Sequence, residues 1–527
     1  MHRAFSASIA ALLCVSGAPA LADPPDGFVQ RVEELREESG APAIAIAIVE
    51  HGKTTLAKGW GVRKLGESAP VDEHTIFPTG STGKAFTTAA LATLVDQGKL
   101  GWDDKVIDHM PWFRMYDPWV TNELTVRDLL VHRSGLGLGA GDLLYVPRTS
   151  LTRRETVERL RYIKPATSFR YSYAYDNILY IAAGQLIEEV TGKTWEQYVK
   201  EEVLERGGMT DSTSDYDSRY ATDNRAFPHA RVSGAVRGDG PNSVLDEHDE
   251  LGRNAMPAGG LAMSASDLAK WLQIQLGHGA LPGGGQLFSE EQAREMWQPV
   301  TIQPITQWPG DLATVTPSHS AYALGWDVED YRGHKLIWHN GAVFGAIAVV
   351  AMLPDEDVGF AIVINSEESA LRRGLMYELL DHYLGLPFND WTPKWDALIK
   401  QMQAGGKEAM AQMTSGKTAK ARPSLPLASY AGTYRDPWYG DVVVSQREGG
   451  LWIDFASTPR MEGRLVPYQY DTFRTELTDK ALEPALVTFQ LDADGKVERI
   501  KMVAASPLAD FSYDYQDLDL RPVKDAQ

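Results

Sequence analysis

Apolar runs of strand length stand at both ends of the first four hundred residues, and their placement restricts the fold more than any other feature. "PAIAIAIVEHGKTTLAKGWGV" reads as two strands around a His51-Gly52 turn. Strand patterns return only in "YALGWDVEDYRGHKLIWHNG" and "GAIAVVAMLPDEDVGFAIVINSE". Between them, from about residue 81 to 300, the chain reads as helix and loop. Helices frame the whole. Phe28, Val32 and Leu35 recur at helical spacing before Gly40, and a second helix runs from about Ala370 to Tyr383. Strands at both ends with helices between imply an α+β domain: one antiparallel sheet, built from the two ends of the domain and flanked by helices.

A chain of 527 residues has room for more than this domain. The Gly-, Ala- and Lys-rich stretch 401–426 reads as helix followed by linker. Beyond it, "YAGTYRDPWYGDVVVSQREGGLWIDF" opens about a hundred residues of short alternating segments broken by Gly, Asp and Pro. That pattern predicts a small antiparallel sheet or barrel. The N-terminus has Arg3, an apolar run from Ile9 to Val15 and Ala20-Leu21-Ala22, which is the pattern of a secretory signal peptide cut after Ala22. Bulky Leu13 before Cys14 argues against lipidation. The expected division is a signal peptide at 1–22, a main domain at 23–395, a helical linker at 396–425 and a barrel at 426–527. The expected location is exported, either periplasmic or secreted.

Composition excludes several classes of function. A net charge of −20 disfavours a nucleic-acid or anionic-membrane partner. Cys14 is the single cysteine, so the mature chain has neither disulfide nor thiol chemistry. No later apolar run is long enough for a transmembrane anchor. No His-Glu-x-x-His occurs, "DEHDE" (246–250) reads as a solvated acidic loop, and "PGGGQ" (282–286) reads as a turn without a phosphate loop's Lys-Ser/Thr ending. Neither metal nor cofactor is expected.

Three segments carry groups suited to nucleophilic chemistry. In "FPTGSTGKAF", Ser81 precedes an apolar helix and Lys84 follows three places on, on the same face. Backbone N–H groups at a helix start favour an oxyanion, and a partly desolvated amine can take a proton from a hydroxyl. An N-cap serine followed by a solvated lysine would give the same letters. In "YAYDNILY", Tyr175 and Asn177 precede a second apolar helix; the phenol can pass a proton and the amide can hold a carbonyl. Tyrosines at 171, 173 and 175 also fit a plain aromatic strand. The third segment is His339-Asn340-Gly341, closing the strand "HKLIWHNG". There the glycine would leave room for a substrate along the strand edge, and the Ala342 N–H could join that of Ser81 around an oxyanion.

In this order and context the three segments resemble the serine β-lactamase and penicillin-binding-protein superfamily, most closely its class C β-lactamase-like hydrolases. "TVRDLLVHRSGL", "AAGQLIEEVTGKTWEQYV" and "MPAGGLAMSASDLAKWLQ" extend the similarity over about residues 28 to 385. The resemblance implies ping-pong acyl transfer with Ser81 as nucleophile, Lys84 as its proton partner and Tyr175 assisting. It places Asn177 on the substrate amide and His339, Asn340 and Gly341 along the third wall. It leaves the proton work undivided between Lys84 and Tyr175. "SYAGTYRDP" resembles the start of the lipocalin-like barrel that follows this domain in some members, among them peptidases acting on D-amino-acid peptides.

Two departures from the family pattern stand out. Its third motif begins with lysine, followed by threonine and glycine; here His339 and Asn340 replace the first two. A neutral imidazole holds a substrate carboxylate poorly, so peptides or esters fit better than β-lactams. A requirement for neutral His339 would make activity rise near the ordinary imidazole pKa of about 6.5. Asp176 stands where serine is common, and sequence assigns it no role. The expected activity is hydrolysis of a small amide or ester substrate, with peptides first, then esters, then β-lactams. A binding or sensor protein that kept the cleft is the alternative from another class, and oligomeric state is left open.

Overall fold

The computed structural model describes residues 24–246, 251–415 and 422–523. The leader pattern, most of the acidic stretch 246–250 and part of the 401–426 linker lie outside the described residues.

The expected sheet is present and has eight antiparallel strands. From one edge they run Lys53–Gly61, Ala43–Glu50, Val358–Ile364, Ala346–Leu353, His334–Val343, Asp327–Tyr331, Ser320–Tyr322 and Thr301–Ile302. The two ends of the domain meet in the register Ile44↔Ile364 through Glu50↔Val358. All of Ala43–Glu50 is buried, because both faces of the sheet are covered. Its alternation sorts the side chains by size. Ala43, Ala45, Ala47 and Val49 join the core on one face, with Ala265 and Leu268, and Ile44, Ile46 and Ile48 join the core on the opposite face. The small residues let the helix Ala265–Leu276 lie close on one side. Phe28, Val32 and Leu35 from the helix Phe28–Ser39 fill the other side together with the helix Ser369–Tyr383.

The helix Lys84–Asp96 is buried along most of its length, so it reads as apolar around its whole circumference. It packs against Ile178–Thr191, which is also buried through its first ten residues. Trp271 stacks on Phe86 at 3.9 Å between ring centres, fixing the third helix of this layer.

One helix, Trp391–Ser415, runs across the boundary expected at 395/396, anchored at its start by the buried Trp391 and Trp395. The C-terminal part is an antiparallel β-barrel whose strands run from Gly432–Asp436 to Arg521–Pro522. Arg521 pairs back with Arg435, and Ile500 and Leu520 exchange backbone hydrogen bonds of 2.8 and 3.3 Å, so the barrel is nearly closed. Its interior is packed: Phe473, Phe489 and Tyr430 meet edge to face, with Val444, Ile453 and Val487 buried around them. Among the described residues no helix is long and apolar enough to cross a membrane.

Candidate active site

Ser81 lies in a one-turn 3-10 helix, Gly80–Gly83, that feeds directly into the helix Lys84–Asp96. Gly80 has φ +54°, in the left-handed region, which turns the chain sharply ahead of the serine. This turn presses against the strand His334–Val343. A Cβ on Gly341 would sit 1.9 Å from the Thr79 carbonyl oxygen, and one on Gly80 would sit 2.5 Å from the Ala342 nitrogen. Sequence reading gave Gly341 to the substrate and ended the strand there. The strand instead continues to Val343, and the missing side chain makes room for the Thr79–Ser81 backbone. The Ser81 nitrogen lies 3.0 Å from where a Gly341 Cβ would stand, so the serine turn and the strand are in direct contact.

Lys84 is fully buried, and its ammonium nitrogen meets three oxygens: Ser81 Oγ at 3.0 Å, Asn177 Oδ1 at 2.6 Å and the Ala258 carbonyl at 2.8 Å. The rings of Tyr175 and Tyr180 lie 4.8 and 5.2 Å from it. Burial lowers its pKa to about 7, against a partial upward pull from the Asp142 and Asp176 carboxylates. A neutral amine here would donate to Asn177 and Ala258 and turn its lone pair to the Ser81 hydroxyl. Tyr175 lines the same cavity, and burial pushes its phenol well above the ordinary value, with the Ser81 hydroxyl pulling the other way. It is therefore a neutral O–H donor near pH 7.

Asn177 does not offer its amide freely to a substrate. Its Oδ1 accepts from Lys84, and its Nδ2 donates to Asp142 Oδ2 at 3.0 Å. His339 is engaged at both nitrogens. Nδ1 is 2.5 Å from the Asn340 carbonyl, which can only accept, so Nδ1 carries the hydrogen and Nε2 accepts from the Tyr322 hydroxyl at 2.8 Å. Burial, with Lys84 nearby, takes its pKa down to about 3, so the ring is neutral over the whole working range. Asn340 is exposed and lines the cavity. Asp176 turns away from it: its backbone N–H donates to His132 Nδ1 at 3.2 Å and its Oδ2 accepts from Ser134 at 3.0 Å. Burial raises Asp176 to about 7.

These side chains open into a cavity of about 600 Å³. Its walls include groups absent from the sequence reading. Carboxylates are prominent: Asp327 and Glu329 on one side, Glu367, Glu483 and Asp510 on the other. Burial raises Asp327 to about 8 and Glu483 to about 7. The one wall arginine, Arg237, is already held by Glu367, with Nε to Oε2 at 2.8 Å. The barrel supplies a further wall through Leu508, Phe511, Ser512 and Tyr513, and the Phe511 ring meets Tyr175 edge on at 6.0 Å. Asp142 follows the Leu-Leu-x-His-x-Ser-Gly-Leu stretch by six residues, and the Ala258 carbonyl that meets Lys84 lies within "MPAGGL"; both were missed beside recognised segments.

Comparison with known proteins agrees with this layout. The Beta-lactamase family profile matches residues 28–384, and a domain of unknown function, DUF3471, matches 416–522. An Unguisins hydrolase of Aspergillus campestris is 29% identical, covering 93% of this chain and 91% of its own. Penicillin-binding protein 4 of Amycolatopsis lactamdurans is 26% identical over 68% of this chain and 90% of its own. Among solved structures, an octameric penicillin-binding protein homologue from Pyrococcus abyssi superposes with a TM-score of 0.59 at 21% identity, covering 91% of this chain and 98% of that one. A class C beta-lactamase superposes with a TM-score of 0.53 at 19% identity, over 69% of this chain and 96% of that one. Since the family profile spans more than half the sequence and the fold agrees, the chain belongs to the β-lactamase family.

Proposed function

We propose that this protein is an exported serine hydrolase that cleaves an amide or ester bond through an acyl-enzyme on Ser81, with short peptides, including those of D-residues, as its principal substrates. The observation that carries the reading is the 3.0 Å contact between Lys84 Nζ and Ser81 Oγ, made by an amine lowered to about 7. In this reading Lys84 takes the Ser81 proton as Oγ bonds the substrate carbonyl carbon. The N–H groups of Ser81 and Ala342 hold the oxyanion. The proton returns through the Tyr175 hydroxyl to the leaving nitrogen or oxygen as that bond to carbon breaks. Water then repeats the sequence against the acyl-enzyme.

Peptides rank ahead of β-lactams because no unpaired cation lines the cavity among the described residues: His339 is neutral and Arg237 is held by Glu367. Esters come second. A relative named for hydrolysis of unguisins, similar along nearly the whole chain, supports hydrolysis over mere binding.

The test is intact-mass analysis after a fluorophosphonate. Wild type should gain one adduct and Ser81→Ala none; a folded, unlabelled wild type favours the binding-protein reading. A panel of D- and L-aminoacyl p-nitroanilides, p-nitrophenyl esters and nitrocefin ranks the substrates. Export is tested by the N-terminus of the mature protein, expected at Asp23.

A further inference from the structure

The segment 510–514 of the barrel part reaches into the interior of the hydrolase domain. Ser512 Oγ donates to Asp142 Oδ2 at 2.8 Å, and Asp142 Oδ2 also accepts from Asn177 Nδ2 at 3.0 Å. Tyr145 donates to the other oxygen of Asp142. Two residues on, Asp514 accepts the backbone N–H groups of Gly141 and Leu143 at 2.7 and 3.1 Å. Both aspartates are fully buried. Phe511 lies so close to Gly139 that a Cβ there would be 2.7 Å from its ring, and the Gly139 N–H donates to the Tyr175 carbonyl at 2.9 Å. The loop carrying Asp142 is thus clamped between the barrel and the Tyr175–Asn177 segment.

The chain of contacts has a chemical direction. Asp142 Oδ2 accepts from both Ser512 and Asn177, so the end of the Asn177 amide that faces it is the nitrogen. The oxygen must then face Lys84. With Asn177 Oδ1 and the Ala258 carbonyl taking two N–H bonds of the amine, the remaining position on Nζ points to Ser81. Were the amide reversed, its NH2 would confront the amine donor to donor, and Lys84 would lose the contact that aims it.

We propose that Asp142 and Ser512 are positioning residues for acyl transfer, and that the barrel completes the hydrolase site through Ser512–Asp142–Asn177–Lys84. This rests on the Ser81 acyl-enzyme reading above. The groups that set charge around Lys84 are the Asp142 and Asp176 carboxylates, the neutral His132 and His339 rings, and the Tyr175 and Tyr180 phenols. Burial pushes Asp142 up to about 7, against the downward pull of the Tyr145 and Ser512 hydroxyls and the Asn177 amide, with the Asp510 carboxylate adding to the rise and Asp514 beside it. Ser512 helps keep Asp142 ionised, and ionised Asp142 holds the Lys84 proton more tightly.

The experiment is the rate of fluorophosphonate labelling of the full chain as a function of pH, for wild type, Ser512→Ala, Ser512→Thr and Asp142→Asn, with thermal unfolding of each. Asp142→Asn should slow labelling at least about tenfold, because the amide of Asn177 is no longer fixed. Ser512→Ala should slow it about threefold and move the acid limb about half a pH unit lower, since Lys84 loses part of the carboxylate that raises it. Ser512→Thr keeps the hydroxyl and should restore both. Ser512 is only half-buried, so its variants remain informative if Asp142→Asn fails to fold. Folded Ser512→Ala with the wild-type rate and wild-type acid limb overturns the proposal and leaves the acyl-enzyme reading intact. Absence of labelling in wild type itself overturns that reading instead.

Discussion

His339 Nε2 accepts a 2.8 Å hydrogen bond from the Tyr322 hydroxyl, in an interior where both side chains are almost entirely out of contact with solvent. The bond settles which form of imidazole stands in place of the family's lysine. A ring that accepts at Nε2 and donates at Nδ1 has no room for a second proton, and its pKa of about 3 puts charging below any working pH.

The pH dependence of acylation should therefore carry an acid limb near pH 7, where Lys84 and its Asp142 and Asp176 neighbours titrate together, with no step from His339 near 6.5. The sign follows from the role. Lys84 must be neutral to take the Ser81 proton, so kcat/KM rises as pH climbs through about 7. A profile that falls through this range would contradict a lysine base.

Tyr322→Phe removes the donor to His339 and leaves a buried ring nitrogen without a partner. Unfolding measurements should show a loss of about 1–3 kcal/mol. The effect on kcat should be small beside that on stability, because the lost hydroxyl bonds the imidazole and not Ser81 or Lys84.

Gly341→Ala should damage catalysis more than its size suggests. Its Cβ would lie 1.9 Å from the Thr79 oxygen, so the strand and the nucleophile turn must separate. Pulling the Ala342 amide away from that of Ser81 should cost about 10²-fold in kcat, the scale of losing one oxyanion donor, with KM changed little.

Charge in the cavity should decide substrate preference. Asp327→Asn and Glu329→Gln together remove two wall carboxylates. Above about pH 8, where Asp327 is charged, the kcat/KM for a substrate bearing a carboxylate should rise about three- to tenfold relative to its uncharged analogue, a gain in electrostatic complementarity. Equal ratios in variant and wild type would mean that the substrate does not approach this wall.

Much of this was legible in sequence because it rests on local pattern. Ala43–Glu50 and Val358–Ile364 are apolar enough to be read as buried strands, and both lie where expected in one sheet. Ser81, Lys84, Tyr175, Asn177, His339, Asn340 and Ala342 come together at one cavity or beneath it. What sequence could not give depends on distance along the chain. Asp142 looks like any loop acid until Ser512 arrives from 370 positions away, and Asp514 looks like a surface acid until it caps Gly141 and Leu143. The Asp142 partner of Asn177 was not visible, and the approach of Thr79 to Gly341 is likewise a tertiary fact.

The pairing of Ile44 with Ile364 also bears on how the polypeptide is made. Ala43–Glu50 leaves the ribosome early, yet one whole edge of it stays unbonded until Val358–Ile364 has been synthesised. In the interval the nascent chain carries a sticky apolar hairpin with an open side, which exposes it to aggregation. A holdase chaperone that engages this hairpin should raise the yield of folded protein more than one that acts on the barrel, whose strands pair almost entirely with their neighbours in sequence.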